Sequence, residues 1–239
     1  MRRSLALALA LAGSVSSGAV AQNRPPQGSN PTQATLNRAA DAILALKSTR
    51  FALKREGTPA FLDEKNGVTF TAADCVYVAP DRVSCNVKVS LRNGTIVQLT
   101  RVWVPEGTFQ SNPLTRQFAK VPGDANFNGV VLFARTGIPQ ILRTAVQNPQ
   151  TVGPGTVLGR SALHLKGQVA GQALNPLMGG TLRNDALYPV DLWVEERTAQ
   201  PAQLHVAEPD GSGWLIELSG LNEPADVPTP RVPPARPQA

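Results

Sequence analysis

Between Tyr188 and Val227 apolar and polar residues alternate in three short runs: Val190/Leu192/Val194, Leu204/Val206 and Trp214/Ile216/Leu218. Period-two alternation bounded by Pro, Gly and Asp marks half-buried antiparallel strands. The gaps are polar: Arg197 to Gln200, and Glu208 to Gly213, which has the composition of a hairpin loop. The last third is therefore expected to be a three-stranded meander. Its apolar face must be covered by something else.

The same alternation predicts strands upstream. Ser48–Glu56 is a weak one, and Val68–Val78 and Val83–Leu91 form a hairpin. Arg92-Asn93-Gly94-Thr95 predicts a tight type I′ turn into a strand over Ile96–Val104, with Val97, Leu99 and Trp103 on one face. Asn93-Gly94-Thr95 is also a glycosylation sequon, but turn chemistry explains it better. Gln117–Val121 and Ser161–Val169 complete the strands, the latter with Leu163 and Leu165 on one side. Helical spacing occurs over Thr35–Lys47 and Gly137–Asn148. In the second of these Thr136 can cap and Pro139 fits the first turn, and Ile138, Ile141, Leu142 and Ala145 make one stripe. Ala170–Leu177 is a candidate short helix. The sum is an α+β chain: one mostly antiparallel sheet with a few short helices.

Composition changes this picture at the ends. Met1-Arg2-Arg3, the apolar Ser4–Ala12 and Ala19-Val20-Ala21 read as a signal peptide over residues 1–21. A polar, Pro-rich linker follows over 22–33, and 34–227 is read as a single domain. Residues 228–239 read as a disordered Pro-rich tail. The net charge of +6 is mostly an effect of the ends. Without Arg2, Arg3, Arg24, Arg231 and Arg236 there are 18 basic against 17 acidic residues, so nucleic-acid binding loses its electrostatic basis.

The chain's two cysteines, Cys75 and Cys85, flank a Pro-Asp turn. In an oxidising export compartment they are expected to form a disulfide across adjacent strands. Closing so short a loop stabilises by about 3 kcal/mol in the chain-entropy model. A metal site is not expected from their spacing. The two histidines, His164 and His205, each sit inside a strand pattern and read as surface or satisfied residues. No H-E-x-x-H, G-x-S-x-G or phosphate loop is present. Glu195-Glu196 cannot act as an acid–base couple, because neighbours on a strand face opposite ways. Nothing points to an enzyme or a cofactor.

An ordered series of segments carries a resemblance. Thr136–Leu142 (TGIPQIL), His164–Val169 (HLKGQV), Tyr188–Val194 (YPVDLWV), the strands around His205 and Ile216, and Leu221–Val227 (LNEPADV) follow one another. In these the chain resembles the LppX/LprG/LprA family of exported lipid-binding lipoproteins, whose fold is similar to that of the LolA/LolB carriers. The resemblance implies a strongly curved antiparallel half-barrel with helices on its concave side. It also implies a hydrophobic cavity for acyl chains, and no catalysis. Two departures stand out. No lipid-anchoring cysteine is seen after the leader, so a freely diffusing envelope protein is expected. The Cys75–Cys85 pair has no counterpart in the resemblance.

The expected role is therefore binding and carriage of a lipid or acylated amphiphile by a monomer, with envelope donor and acceptor proteins as possible partners. The expected lining is Ile138, Ile141, Leu142 and Ala145 with Leu163, Leu165, Val190, Leu192 and Val194. The competing expectation is an interaction module whose core is filled.

Overall fold

The computed structural model describes residues 30–123 and 128–233. The expected leader, most of the linker and the end of the tail lie outside the described residues. Helix α1 (Pro31–Leu44) begins four residues before the expected Thr35. The Asn30 side chain accepts a hydrogen bond from the Thr32 amide, and Pro31 occupies the first turn, where its missing N–H costs nothing. Leu36, Ala39, Ala40 and Ile43 form its buried stripe.

Twelve strands form one antiparallel sheet. They are β1 (Ser48–Glu56), β2 (Ala60–Asp63), β3 (Val68–Val78), β4 (Arg82–Ser90), β5 (Ile96–Val104), β6 (Gly107–Ser111), β7 (Phe118–Val121), β8 (Gln147–Val157), β9 (Arg160–Ala170), β10 (Leu187–Val194), β11 (Pro201–Ala207) and β12 (Gly213–Ser219). The order across the sheet is β7-β6-β5-β4-β3-β1-β12-β11-β10-β9-β8, with β2 pairing β3 outside this path. Two meanders, β3 to β7 and β8 to β12, are thus joined by β1. The weak strand of the sequence lies at the centre. Inward residues of both meanders share one hydrophobic core. A sheet this wide brings them together by curling, and it stays open because β7 and β8 do not pair.

Several local expectations change. The β4–β5 connection is not a type I′ turn. Gly94 has φ +81°, but Asn93 is absent from the positive-φ residues. The Gly94 amide donates to Leu91 O at 2.8 Å, which makes a type I turn followed by a left-handed glycine. The helix expected over 137–148 is shorter: α2 (Ile138–Gln140) runs into a π-helical turn (Ile141–Ala145), and β8 starts at Gln147. The expected Thr136 cap does not form. Gly137 stands at the cap without a side-chain bond, and a Cβ there would lie 1.8 Å from Val131 O. The Gly- and Pro-containing stretch between the second helical segment and the Ser161 strand, for which no strand was expected, forms β8. Pro149 and Pro154 are tolerated there because β8 is an edge strand. Helix α3 (Gly171–Leu174) and a 3-10 turn (Gly129–Leu132) complete the covering elements.

Cys75 and Cys85 are directly opposite on β3 and β4 and form a disulfide, with Cα atoms 4.1 Å apart. On the convex side a second, small cluster gathers Val102, Val104 and Phe109 under Val227. Arg82 donates to Val227 O at 3.1 Å, so the chain is held up to that residue. From Pro228 to Pro233 it forms neither helix nor strand.

Candidate binding cavities

Two cavities lie against the concave face. The first, about 20 Å³, sits between α1, α2, the π turn, α3 and the strands β9 to β11. Its lining includes six of the nine expected residues: Ile138, Ile141, Leu142, Leu165, Val190 and Leu192. The other three lie elsewhere in the core. Val194 is fully buried, while Ala145 and Leu163 are half-buried and packed against the core. Leu165 of β9 and Val190 and Leu192 of β10 lie on the face turned to this cavity. A cavity of about 20 Å³ has room for little more than one water molecule. Over this half of the sheet the helices and strands interlock.

The second cavity, about 270 Å³, lies over the other half. Leu53 of β1, Phe70 and Ala73 of β3, Val87 and Val89 of β4, Leu99 and Trp103 of β5, and Trp214 of β12 build its wall. Leu177, Met178 and Gly179, just after α3, close one side, and Leu62 of β2 lies at 45 % exposure on another. Leu177 lines both cavities and so forms the partition between them. Period-two geometry explains the wall. Leu53, Ala73, Val87 and Leu99 pair across β1, β3, β4 and β5 in a single row and point the same way. The aromatic rings are fixed by their neighbours. Phe70 packs on Trp214 with centroids 5.3 Å apart, and the Arg55 guanidinium covers Trp214 at 5.2 Å. The Trp214 indole N–H is buried without a hydrogen-bond partner.

Two polar side chains interrupt this lining, Arg101 and Gln110, which face each other across β5 and β6. Neither was singled out from the sequence. The signal was present: Val97, Leu99, Arg101 and Trp103 share one alternation, which puts the arginine on the apolar face.

The histidines are partly exposed residues satisfied by carboxylate partners, in keeping with the reading of surface or satisfied side chains. They flank Asp191 on the convex side, on three adjacent strands. His164 Nε2 lies 2.6 Å from Asp191 Oδ1, and His205 Nδ1 lies 3.9 Å from Asp191 Oδ2. The His164 ring stacks on Trp193 at 3.9 Å, and Lys166 Nζ stands 3.7 Å from Asp191. Their strand neighbours Leu165, Val190, Leu192 and Leu204 line the first cavity, and neither histidine nor Asp191 is part of the lining of either cavity. Among the described residues no group of three or more His, Cys, Asp or Glu side chains is arranged to hold a metal ion. No helix among them is long and apolar enough to cross a membrane.

A family model for the LppX_LprAFG lipoproteins matches residues 30–227. The chain belongs to the LppX/LprAFG lipoprotein family. This is a family of exported, lipid-binding lipoproteins, usually without enzymatic activity. Solved structures of the family share the fold. LprF from Mycobacterium bovis superposes with a TM-score of 0.68 at 16 % identity, over 84 % of this chain and 97 % of LprF. LppX from Mycobacterium tuberculosis gives 0.59 at 16 % identity, over 83 % of this chain and 98 % of LppX. A search of curated protein sequences gave no match. The LppX/LprAFG fold thus supplies the curved sheet and the helices on its concave side, as expected from the resemblance.

Proposed function

We propose that this protein binds one lipid or other long-chain amphiphile in the cavity of about 270 Å³ and carries it through the cell envelope without catalysis. The cavity itself carries this reading. Empty space in a core costs about 24 cal/mol per Å³, so a dry cavity of this size would cost about 6 kcal/mol. That is comparable to the whole stability of an ordinary domain, roughly 5–15 kcal/mol. A buried acyl chain offsets the cost and adds about 0.8 kcal/mol per methylene removed from water. The volume stands at the lower edge of small-molecule pockets, roughly 300–1,000 Å³, which favours one chain over a multi-chain lipid.

In this reading residues 34–227 are the carrier domain. Residues 1–21 act as an export leader, and the Pro-rich end is a spacer. The protein works as a monomer that exchanges its cargo with envelope donor and acceptor proteins. Ile138, Ile141, Leu142, Leu165, Val190 and Leu192 belong to a neighbouring wall, reached only if the Leu177 partition moves.

The test is mass spectrometry of organic extracts from protein purified without detergent. A long-chain amphiphile near one per protein is the expected result. An extract free of lipid, from protein that also fails to take up added fatty acids, would leave the filled-core interaction module as the better reading.

A further inference from the structure

We infer that the end of the sheet at the mouth of this cavity docks on a phospholipid bilayer, so that the bound chain passes between membrane and cavity without crossing water. This rests on the cavity being a lipid site, as proposed above. Exposure along the strands locates the mouth. On the inward face of β5 Trp103 is buried, whereas Val97 and Leu99 are half-buried. Among the described residues the cavity therefore opens towards the β2–β3 and β4–β5 turns, and Leu62 of β2 stands at that opening. Strand register supplies the second observation. Phe61, Thr69, Ser90 and Ile96 pair in sequence across β2, β3, β4 and β5, so they form one row. Their chain neighbours Leu62, Phe70 and Val89 line the cavity, so this row points outward. Its two ends are apolar and open to solvent: Phe61 is 52 % and Ile96 66 % exposed.

The strand ends at the mouth thus carry apolar side chains on both faces, Leu62 inside and Phe61 and Ile96 outside. Three strand spacings of about 4.8 Å separate Phe61 from Ile96, roughly 14 Å. The two turns between them are tied together, because the Arg92 guanidinium donates to Lys65 O at 3.0 Å. Exposed apolar side chains rimmed by polar ones mark surfaces that meet a protein or a membrane. Charge and cargo choose the membrane. Asp63 and Glu64 offset Lys65 and Arg92, so the tip has charges of both signs and no net charge. A zwitterionic headgroup layer over an apolar interior has the same make-up. The cargo adds a kinetic reason. Each methylene drawn from a bilayer or a cavity into water costs a factor of roughly four, so a mouth that stayed in water would load and unload slowly. Seating Phe61, Leu62 and Ile96 among the lipids brings the opening to the acyl layer and removes that step.

The experiment uses the exported protein, delipidated, and phosphatidylcholine vesicles. Flotation reads vesicle binding, and a fluorescent long-chain fatty acid reads the rate of transfer from vesicle to protein. The wild type should float with the vesicles as well in high salt as in low, because no net charge is involved. Its loading rate should rise in proportion to vesicle concentration. Phe61→Ser combined with Ile96→Ser should lower both vesicle binding and loading rate by about tenfold or more. Affinity for the same fatty acid added from solution should stay unchanged, since neither residue belongs to the lining. If the double variant fails to fold by circular dichroism, Ile96→Ser alone decides by the same readouts. Vesicle binding that survives the substitutions, or that salt abolishes, overturns the inference while the lipid site stands. So does a wild type that takes up the fatty acid but ignores vesicles; if it dimerises through Phe61 and Ile96 instead, a second copy covers the tip. Failure to bind the fatty acid from any source overturns the lipid site and this inference with it.

Discussion

The two halves of the sheet use the same aliphatic alphabet to opposite ends. Over β9 to β11 the concave face is roofed by α1, α2, the π turn and α3, and about 20 Å³ is left. Over β1 and β3 to β5 the described cover is Leu177, Met178 and Gly179 on one side, with the 3-10 turn Gly129–Leu132 seated beside Val83 and Trp103, and about 270 Å³ is left. The walls do not differ in character; the supply of covering side chains does. In this molecule the larger cavity lies where the described helices run out, and apolar richness by itself does not locate it.

That contrast can be broken most directly by placing a carboxylate in each half. Ile141→Asp, in the roofed half, should unfold the protein or cost several kcal/mol, because the charge has no water or partner. Leu99→Asp, on the chamber wall and half-exposed, should keep most of its fold and lose bound lipid. Circular dichroism melting paired with lipid extraction reads both. Equal loss of fold in the two variants would erase the distinction between the halves.

The disulfide belongs to the chamber half and should matter to it. Cys75→Ser with Cys85→Ser is expected to cost about 3 kcal/mol, a fall of roughly 6–12 °C in melting temperature. Thiol titration of the unreduced, unfolded wild type should find no free thiol, since both cysteines are bonded. Leu177→Ala tests the partition. It should cost about 2 kcal/mol, the low end for such truncations, because the side chain already borders space on both sides. It should also extend the longest fatty acid accepted, measured by competition; unchanged chain-length preference would mean that the two cavities do not communicate. The smallest effect concerns the chain end. Ending the protein after Thr229 should leave the melting temperature nearly unchanged, whereas Val227→Ala should cost about 1.5 kcal/mol by uncovering Val102, Val104 and Phe109.

Much of the frame was legible from residue order. The C-terminal meander, the cysteine hairpin and the α1 stripe follow from periodicity, whereas two-residue alternation on β9 and β10 groups residues by face without saying which face turns inward. β8 was hidden by Pro149, Pro154 and two glycines, whose edge location only the assembled sheet reveals. β2 and β6 are too short to show a period. The chamber could not be read, because a void is a property of what fails to pack above a strand. The meeting of His164 and His205 around Asp191 required the register of three strands. Arg101 could have been found, since it breaks the alternation of its own strand.

The central position of β1 sets the order in which the molecule can be completed. It is the first strand of the chain, yet its partner on one side is the last: Arg50 pairs with Ser219 and Glu56 with Gly213. During vectorial emergence from a ribosome or a membrane pore, β1 can find β3 early but must wait for almost the entire chain before β12 is available. Pairings between such distant segments close slowly. The half-barrel is therefore finished by its oldest strand receiving its youngest, and until then the chamber has only one side wall.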